Sequence, residues 1–128
     1  RLVLEMAAAY PAEADLAQLQ RTVALKRDLP GGAVRLEDRY AFKSTEGEFQ
    51  SALVTPLSAR AAGDAVHVGE AGAGVRIGFD ASALEVAFEV RKAQEKQYQP
   101  AVDLTRIVFT PRQRSREGRV VLDISPLT

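Results

Sequence analysis

Residues 34–43 read Val-Arg-Leu-Glu-Asp-Arg-Tyr-Ala-Phe-Lys, and this stretch decides the fold class. The apolar side chains of Val34, Leu36, Tyr40 and Phe42 occur at every second position, and most of the residues between them are charged. A period of two places successive side chains on opposite faces of a β-strand. The segment is therefore predicted to be a strand with one buried face and one solvated face.

The same alternation recurs along the chain, separated by turn residues such as the Pro-Gly-Gly of residues 30–32. Nine strands are predicted, near residues 2–8, 16–27, 33–43, 49–56, 65–68, 74–79, 84–91, 102–109 and 119–124. This series predicts an all-β fold, an antiparallel two-layer β-sandwich formed by residues 1–128 as a single domain. The inward faces predict that the following residues are buried: Val23, Leu25, Leu36, Phe42, Ile77, Val86, Phe88 and Leu122.

The composition excludes several classes of function. The chain has 17 basic and 17 acidic residues, so no net charge favours nucleic acid or an anionic membrane. It has no cysteine, and no apolar run approaches the roughly 20 residues that span a bilayer. We therefore expect no nucleic-acid partner, no membrane association, no bound metal and no cofactor.

Three segments suggest a family. Residues 4–11 end a strand in Tyr-Pro, residues 20–27 contain Arg-Thr followed by a hydrophobic residue, and residues 34–40 include a hydrophobic strand with Asp38. Residues 53–55 and 106–109 fit the same pattern. In this order the segments resemble the C-terminal β-sheet region of heparinase II/III-type polysaccharide lyases.

The resemblance implies that the chain is the distal sandwich of a longer enzyme. Such an enzyme begins with an α/α toroid that supplies much of the catalytic cleft, so the missing N-terminal domain would be the main partner. The parent would cleave uronate polysaccharides by β-elimination in the periplasm or outside the cell, and an acidic polysaccharide would be its ligand. The isolated chain is expected to be inactive. The alternatives are a free-standing carbohydrate-binding module, although tryptophan is absent, and an Ig-like interaction domain.

No catalytic residue is assigned from the sequence. Alternation turns the single histidine, His67, outward, where one imidazole makes no metal site. Tyr40 lies on an apolar face, and Tyr10 precedes a proline at a strand end, so both are interpreted as packing residues. Tyr98, in a polar stretch, is the tyrosine least constrained by a core and is a candidate for substrate binding.

Three charged residues fall on apolar faces, namely Asp38, Arg21 and Arg106. A buried carboxylate is costly unless it is paired, so a structural ion pair is predicted, with Arg21 as the first partner of Asp38 and Arg106 as the second. In a hairpin closed at residues 28 and 33, Asp38 is predicted opposite Val23 and diagonal to Arg21. The alternative is that Arg21 or Arg106 contacts a sugar carboxylate in a cleft shared with the missing domain.

A cluster of arginines follows Pro111. Arg112, Arg114 and Arg116, with Arg119 beyond them, are candidates for binding the sulfates or uronates of a polysaccharide. A solvated hairpin tip is the alternative interpretation.

Overall fold

The computed structural model describes residues 1–28, 31–92 and 102–128. It confirms the all-β class: within these ranges ten strands form two antiparallel sheets, and two 3₁₀ turns, Ala7–Ala9 and Ala12–Ala14, link the first two strands. The strands are β1 Leu2–Glu5, β2 Leu16–Lys26, β3 Ala33–Phe42, β4 Ser51–Thr55, β5 Ala59–Ala62, β6 Ala65–Val68, β7 Gly74–Gly78, β8 Leu84–Arg91, β9 Leu104–Pro111 and β10 Glu117–Leu127.

β5 is the strand that the sequence did not predict. It reads Ala-Arg-Ala-Ala, so it lacks the alternating large apolar residues that mark the other strands. Pairing with β6 forms it: Ala61 lies opposite Val66, and Ala59 lies opposite Val68. A short strand at a sheet edge is defined by its neighbour's backbone, which local sequence does not reveal.

The two sheets differ in size. The seven-stranded sheet has the order β1-β2-β3-β10-β7-β6-β5, and the three-stranded sheet has the order β4-β9-β8. Residues from both sheets share one hydrophobic core, in which Leu122, Val66 and Phe109 are almost fully buried. An edge-to-face contact between Phe79 and Phe109, with ring centroids 5.3 Å apart, joins the large sheet's β7 end to the small sheet. The molecule is therefore a β-sandwich with unequal layers.

The path of β4 explains how the layers meet. Ser51, the first residue of β4, contacts Asp38 of β3 through its side chain. After Thr55 the chain continues into β5, which lies four strands away from β3 in the large sheet. Four strand spacings are about 19 Å, and five extended residues reach about 17 Å. Because so few residues separate these points, β4 runs across the intervening strands of the large sheet.

The predicted set of core residues is correct for six residues and wrong for two. Leu36, Phe42, Ile77 and Leu122 are buried, and Val23 and Val86 are half-buried against the core. Leu25 and Phe88 are 54% and 36% exposed, so their predicted burial is wrong.

The exposure of β8 shows the reason. Along its inward face, Leu84 is buried, Val86 is half-buried, Phe88 is partly exposed and Val90 is mostly exposed. The side chains face inward as the alternation predicts, but a three-stranded sheet and a seven-stranded sheet overlap over only part of their lengths. Residues beyond the overlap remain accessible to solvent.

No helix in the described part of the chain is long and apolar enough to cross a membrane.

Candidate functional site

A buried carboxylate joins the two sheets. Asp38 of β3 is 1% exposed, and Arg21 of β2 donates two hydrogen bonds to it, from Nε to Oδ1 at 2.7 Å and from Nη2 to Oδ2 at 2.8 Å. Ser51 Oγ, from β4 in the other sheet, donates to the same Oδ2. Since bidentate bonds to a guanidinium are among the strongest hydrogen bonds in proteins, the three side chains form a polar cross-link inside an apolar core. We call this set the Asp38 cross-link.

In the Asp38 cross-link the charge of Arg21 balances the charge of the buried carboxylate. The hydrogen bonds to Asp38 raise the pKa of Arg21, and the partial burial of the guanidinium opposes that shift without outweighing it. The arginine is therefore held in its charged form, and its charge balances a carboxylate from which water is excluded. A paired and fully hydrogen-bonded ion is the form in which a charge is tolerated in a core.

The expected pair forms, but with a different register. Arg21 lies directly opposite Asp38, and Val23 lies opposite Leu36, so the predicted diagonal arrangement is wrong. The last paired residues of this hairpin are Lys26 and Ala33, so the loop is longer than the one assumed. The register differs by two residues, which keeps each side chain on its predicted face and moves Arg21 from the diagonal to the direct neighbour of Asp38.

Arg106 is not the second partner of Asp38. It lies opposite Val54 and Glu89 in the small sheet, and its Nη1 is 3.0 Å from Glu89 Oε2. Its neighbour Ile107 points into the core, so alternation turns Arg106 to the opposite face. The sequence placed Arg106 on the buried face because apolar residues lie on both sides of it along the strand.

The four arginines after Pro111 do not converge on one point. Arg112 Nε donates to the carbonyl of Ala81 at 3.0 Å, and its Nη1 is 3.1 Å from Glu85. Arg114 Nη1 lies 3.9 Å from Glu48. The nearest charges are acidic side chains of the same chain, which partly neutralise both guanidinium groups.

The other two arginines make contacts elsewhere. Arg116 donates to the carbonyl oxygens of Phe42 and Lys43, at 3.3 and 3.1 Å, and so links the end of β3 to the segment before β10. Arg119 Nη1 is 3.6 Å from Glu37. The guanidinium of Arg116 therefore serves the fold, and that of Arg119 faces a surface carboxylate.

Two of these arginines share an open cleft of about 480 Å³. Arg112 and Arg119 line it together with Tyr40, Gln113 and Ser115. We call it the arginine cleft. Its lining combines cationic, amide and hydroxyl donors, which are groups that bind carboxylates and sulfates.

Tyr40 lines the arginine cleft and is itself almost fully buried. Its ring stacks on Phe49 with centroids 4.2 Å apart. A Cβ atom at Gly118, the residue opposite Tyr40 in β10, would lie 2.6 Å from the phenol oxygen. Gly118 is a strand residue whose missing side chain makes room for this tyrosine.

The remaining candidates are dispersed. His67 is half-buried on β6, where its cross-strand neighbours are Arg60 and Arg76. Tyr10 is half exposed rather than packed into a corner, and it lines a second cleft with Phe49 and Arg106. Tyr98 lies outside the described residues. Within the described ranges no three His, Asp or Glu side chains are grouped as metal ligands.

A scan against models of known protein families matched none of them to this chain, and a search of curated proteins gave no match either.

Proposed function

We propose that this chain is an accessory β-sandwich domain of a heparinase II/III-like polysaccharide lyase, with a structural role in an enzyme that cleaves uronate polysaccharides by β-elimination. The family assignment rests on the sequence motifs. The observation that carries the structural role is the Asp38 cross-link, in which the most deeply buried charge among the described residues bonds to side chains of both sheets.

The motif residues support this role. Arg21 belongs to the Arg-Thr motif and Asp38 belongs to the hydrophobic strand motif, and these two residues are partners in one bidentate pair. Residues of a family motif that bond to each other inside a core maintain the fold. The motif therefore has a structural explanation that needs no substrate.

The surface arginines add to the argument. Arg112 fixes the end of β9 to the loop before β8, and Arg116 fixes the end of β3 to the segment before β10. Both donate to backbone carbonyls, which are permanent acceptors in the folded chain. Such bonds connect strands that are distant in sequence.

An activity and binding assay tests the proposal. The purified chain is incubated with heparin, heparan sulfate and alginate, and the ultraviolet absorbance of unsaturated uronates is followed. We expect no product, because β-elimination needs a positioned base and a group that neutralises the carboxylate in one site. Sustained product formation that is lost in Tyr10→Phe or His67→Ala would overturn the structural role.

Carbohydrate binding at the arginine cleft is the second candidate, favoured by the shared position of Arg112 and Arg119. It predicts salt-sensitive binding of the same polysaccharides without turnover. The binding would be lost in Arg112→Gln with Arg119→Gln. It would persist in Arg76→Gln with Arg91→Gln, a control that removes the same charge from exposed arginines outside the cleft. If all variants bind equally, the cleft is not the site.

A further inference from the structure

Strand β1 forms one edge of the seven-stranded sheet and is unusually apolar for an edge. It reads Leu2-Val3-Leu4-Glu5, with Arg1 before it, and all four strand residues are exposed. Leu2 and Leu4 are 55% and 41% exposed although they face the same side as the core residues of β2. An open apolar edge is a template for pairing with another strand, which proteins usually block with Pro, Lys or a bulge. Residues 2–5 contain neither Pro nor Lys.

The hydrogen-bonding groups of this edge can be assigned. Met6 N–H donates to the carbonyl of Leu19 at 2.7 Å, and Leu4 and Leu2 continue that antiparallel register opposite Arg21 and Val23. Because bonding alternates along an antiparallel strand, the even-numbered residues direct their N–H and C=O groups to β2. Val3 and Glu5 therefore direct theirs away from the sheet.

We propose that β1 pairs antiparallel with β1 of a second copy of this chain, around a twofold axis at Val3. Val3 then lies opposite Val3 of the second copy, Leu2 lies opposite its Leu4, and Arg1 lies opposite its Glu5. The Val3–Val3 and Arg1–Glu5 pairs are then hydrogen-bonded, and the Leu2–Leu4 pairs occupy the closer, non-hydrogen-bonded positions.

Charge complementarity favours β1 of a second copy as the strand that pairs with this edge. The sequence Arg-Leu-Val-Leu-Glu is self-complementary when it is read in opposite directions, so each end of the paired strands brings a cation against an anion. Opposite charges directly across a sheet are stabilising, and like charges are destabilising. A twofold axis brings the same β1 edge of both copies together in one interface, which closes the assembly at a dimer.

The other edge of the same sheet provides an internal comparison. Strand β5 has small alanine side chains, and its one charged residue is Arg60, so self-pairing there brings no opposite charges together. Arg60 also donates to the carbonyl of Gly69 at 3.0 Å. The two edges of the sheet thus differ in apolar area and in charge, and the dimer interface is assigned to β1.

Proline substitution gives the first test. Val3→Pro removes an N–H that β2 does not use, so the fold is retained while the new ladder is blocked. Ala61→Pro is the matched control, because the bond from Gly69 N–H to the Ser58 carbonyl makes Ala61 the outward residue of β5. Sedimentation velocity at several protein concentrations should show a dimer whose Kd rises at least about tenfold in Val3→Pro and is unchanged in Ala61→Pro. A wild-type chain that stays monomeric, or an equal effect of both prolines, would overturn the proposal.

Charge exchange gives a second test that does not depend on proline. Arg1→Glu and Glu5→Arg each place like charges together in a homodimer, whereas a mixture of the two variants restores both opposite-charge pairs. Glu5 Oε1 also accepts bonds from the N–H groups of Ala7 and Leu19, so the circular dichroism of Glu5→Arg is compared with that of the wild type. We expect Arg1→Glu alone to be monomeric and the mixture to be dimeric. Dimers of Arg1→Glu that are as strong as the wild type would contradict the register.

Discussion

Two bidentate ion pairs of the same chemistry involve opposite faces of strand β3. On the inner face, Asp38 accepts Nε and Nη2 of Arg21 at 2.7 and 2.8 Å. On the outer face, Arg35 donates through Nε and Nη2 to Asp123 at 2.8 and 3.2 Å. Their geometry is nearly the same, but the carboxylate side chains are 1% and 48% exposed.

This difference in burial determines what each pair contributes. In the core the alternative to pairing is an unsolvated charge, so the loss of one partner is costly although the pair itself adds little net stability. At the surface the alternative is hydration, and measured pairs contribute about 0–1 kcal/mol. Hydrogen-bond geometry alone would rank the two pairs as equals.

Among the polar substitutions, Asp38→Asn is expected to give the largest loss of stability. The amide nitrogen cannot accept from Arg21, so a guanidinium next to the core loses its counter-charge. The free energy of unfolding should fall by about 2–4 kcal/mol, less than for a completely buried pair because Arg21 reaches solvent. Urea denaturation measures this loss.

The controls for this variant are Asp123→Asn and Asp64→Asn. Both carboxylates are largely exposed, and both have an arginine partner. Each substitution should cost less than about 1 kcal/mol. Equal losses in all three variants would show that burial is not the deciding factor.

Ser51→Ala should have an intermediate effect. It removes the hydroxyl that donates to Asp38 from the small sheet, while both bonds from Arg21 remain. The expected loss is about 1.5–3 kcal/mol, the contribution of one hydrogen bond to a charged group. In a double-mutant cycle with Asp38→Asn the two losses should be strongly non-additive, whereas additive losses would mean that the hydroxyl acts independently.

Phe88→Ala and Phe109→Ala compare an exposed and a buried position for the same apolar side chain. Phe109 and Phe88 both face inward in the small sheet, but Phe109 is fully buried and Phe88 is 36% exposed. Thermal or urea unfolding should show a loss of about 3–5 kcal/mol for Phe109→Ala and of about 1–2 kcal/mol for Phe88→Ala. A loss for Phe88→Ala as large as that for Phe109→Ala would place Phe88 in the core.

The smallest expected effect is a pKa change on the outer face of β3. Hydrogen bonding from Arg39, followed by the nearby charges of Arg39 and Arg119, lowers the pKa of Glu37 from its ordinary value of 4.5. A carboxylate whose pKa is lowered in the folded state stabilises the fold at pH values above its ordinary pKa. This contribution is lost as the pH falls through the folded-state pKa. Arg39→Gln should move the pKa of Glu37 back toward 4.5, as measured by carboxyl NMR titration. An unchanged pKa would assign the shift to Arg119.

The strands and their faces could be predicted because alternation is a local property of the chain. The inward face of β3, the burial of Leu36 and Phe42, and the need of Asp38 for an arginine all followed from side-chain order. A carboxylate among apolar residues requires a partner wherever the strand lies. Sequence order alone therefore determined the fold class and the chemistry of the central pair.

The extent of burial and the third member of the Asp38 cross-link were decided by tertiary structure. Ser51 reaches Asp38 because β4 crosses the large sheet, and Phe88 is exposed because β8 extends beyond the overlap of the two layers. Arg112 and Arg119 share a cleft because β9 and β10 bring their ends together around Tyr40. These contacts depend on the relative placement of whole sheets, which no local period encodes, because alternation assigns a side chain to a face but not to the surface that covers it.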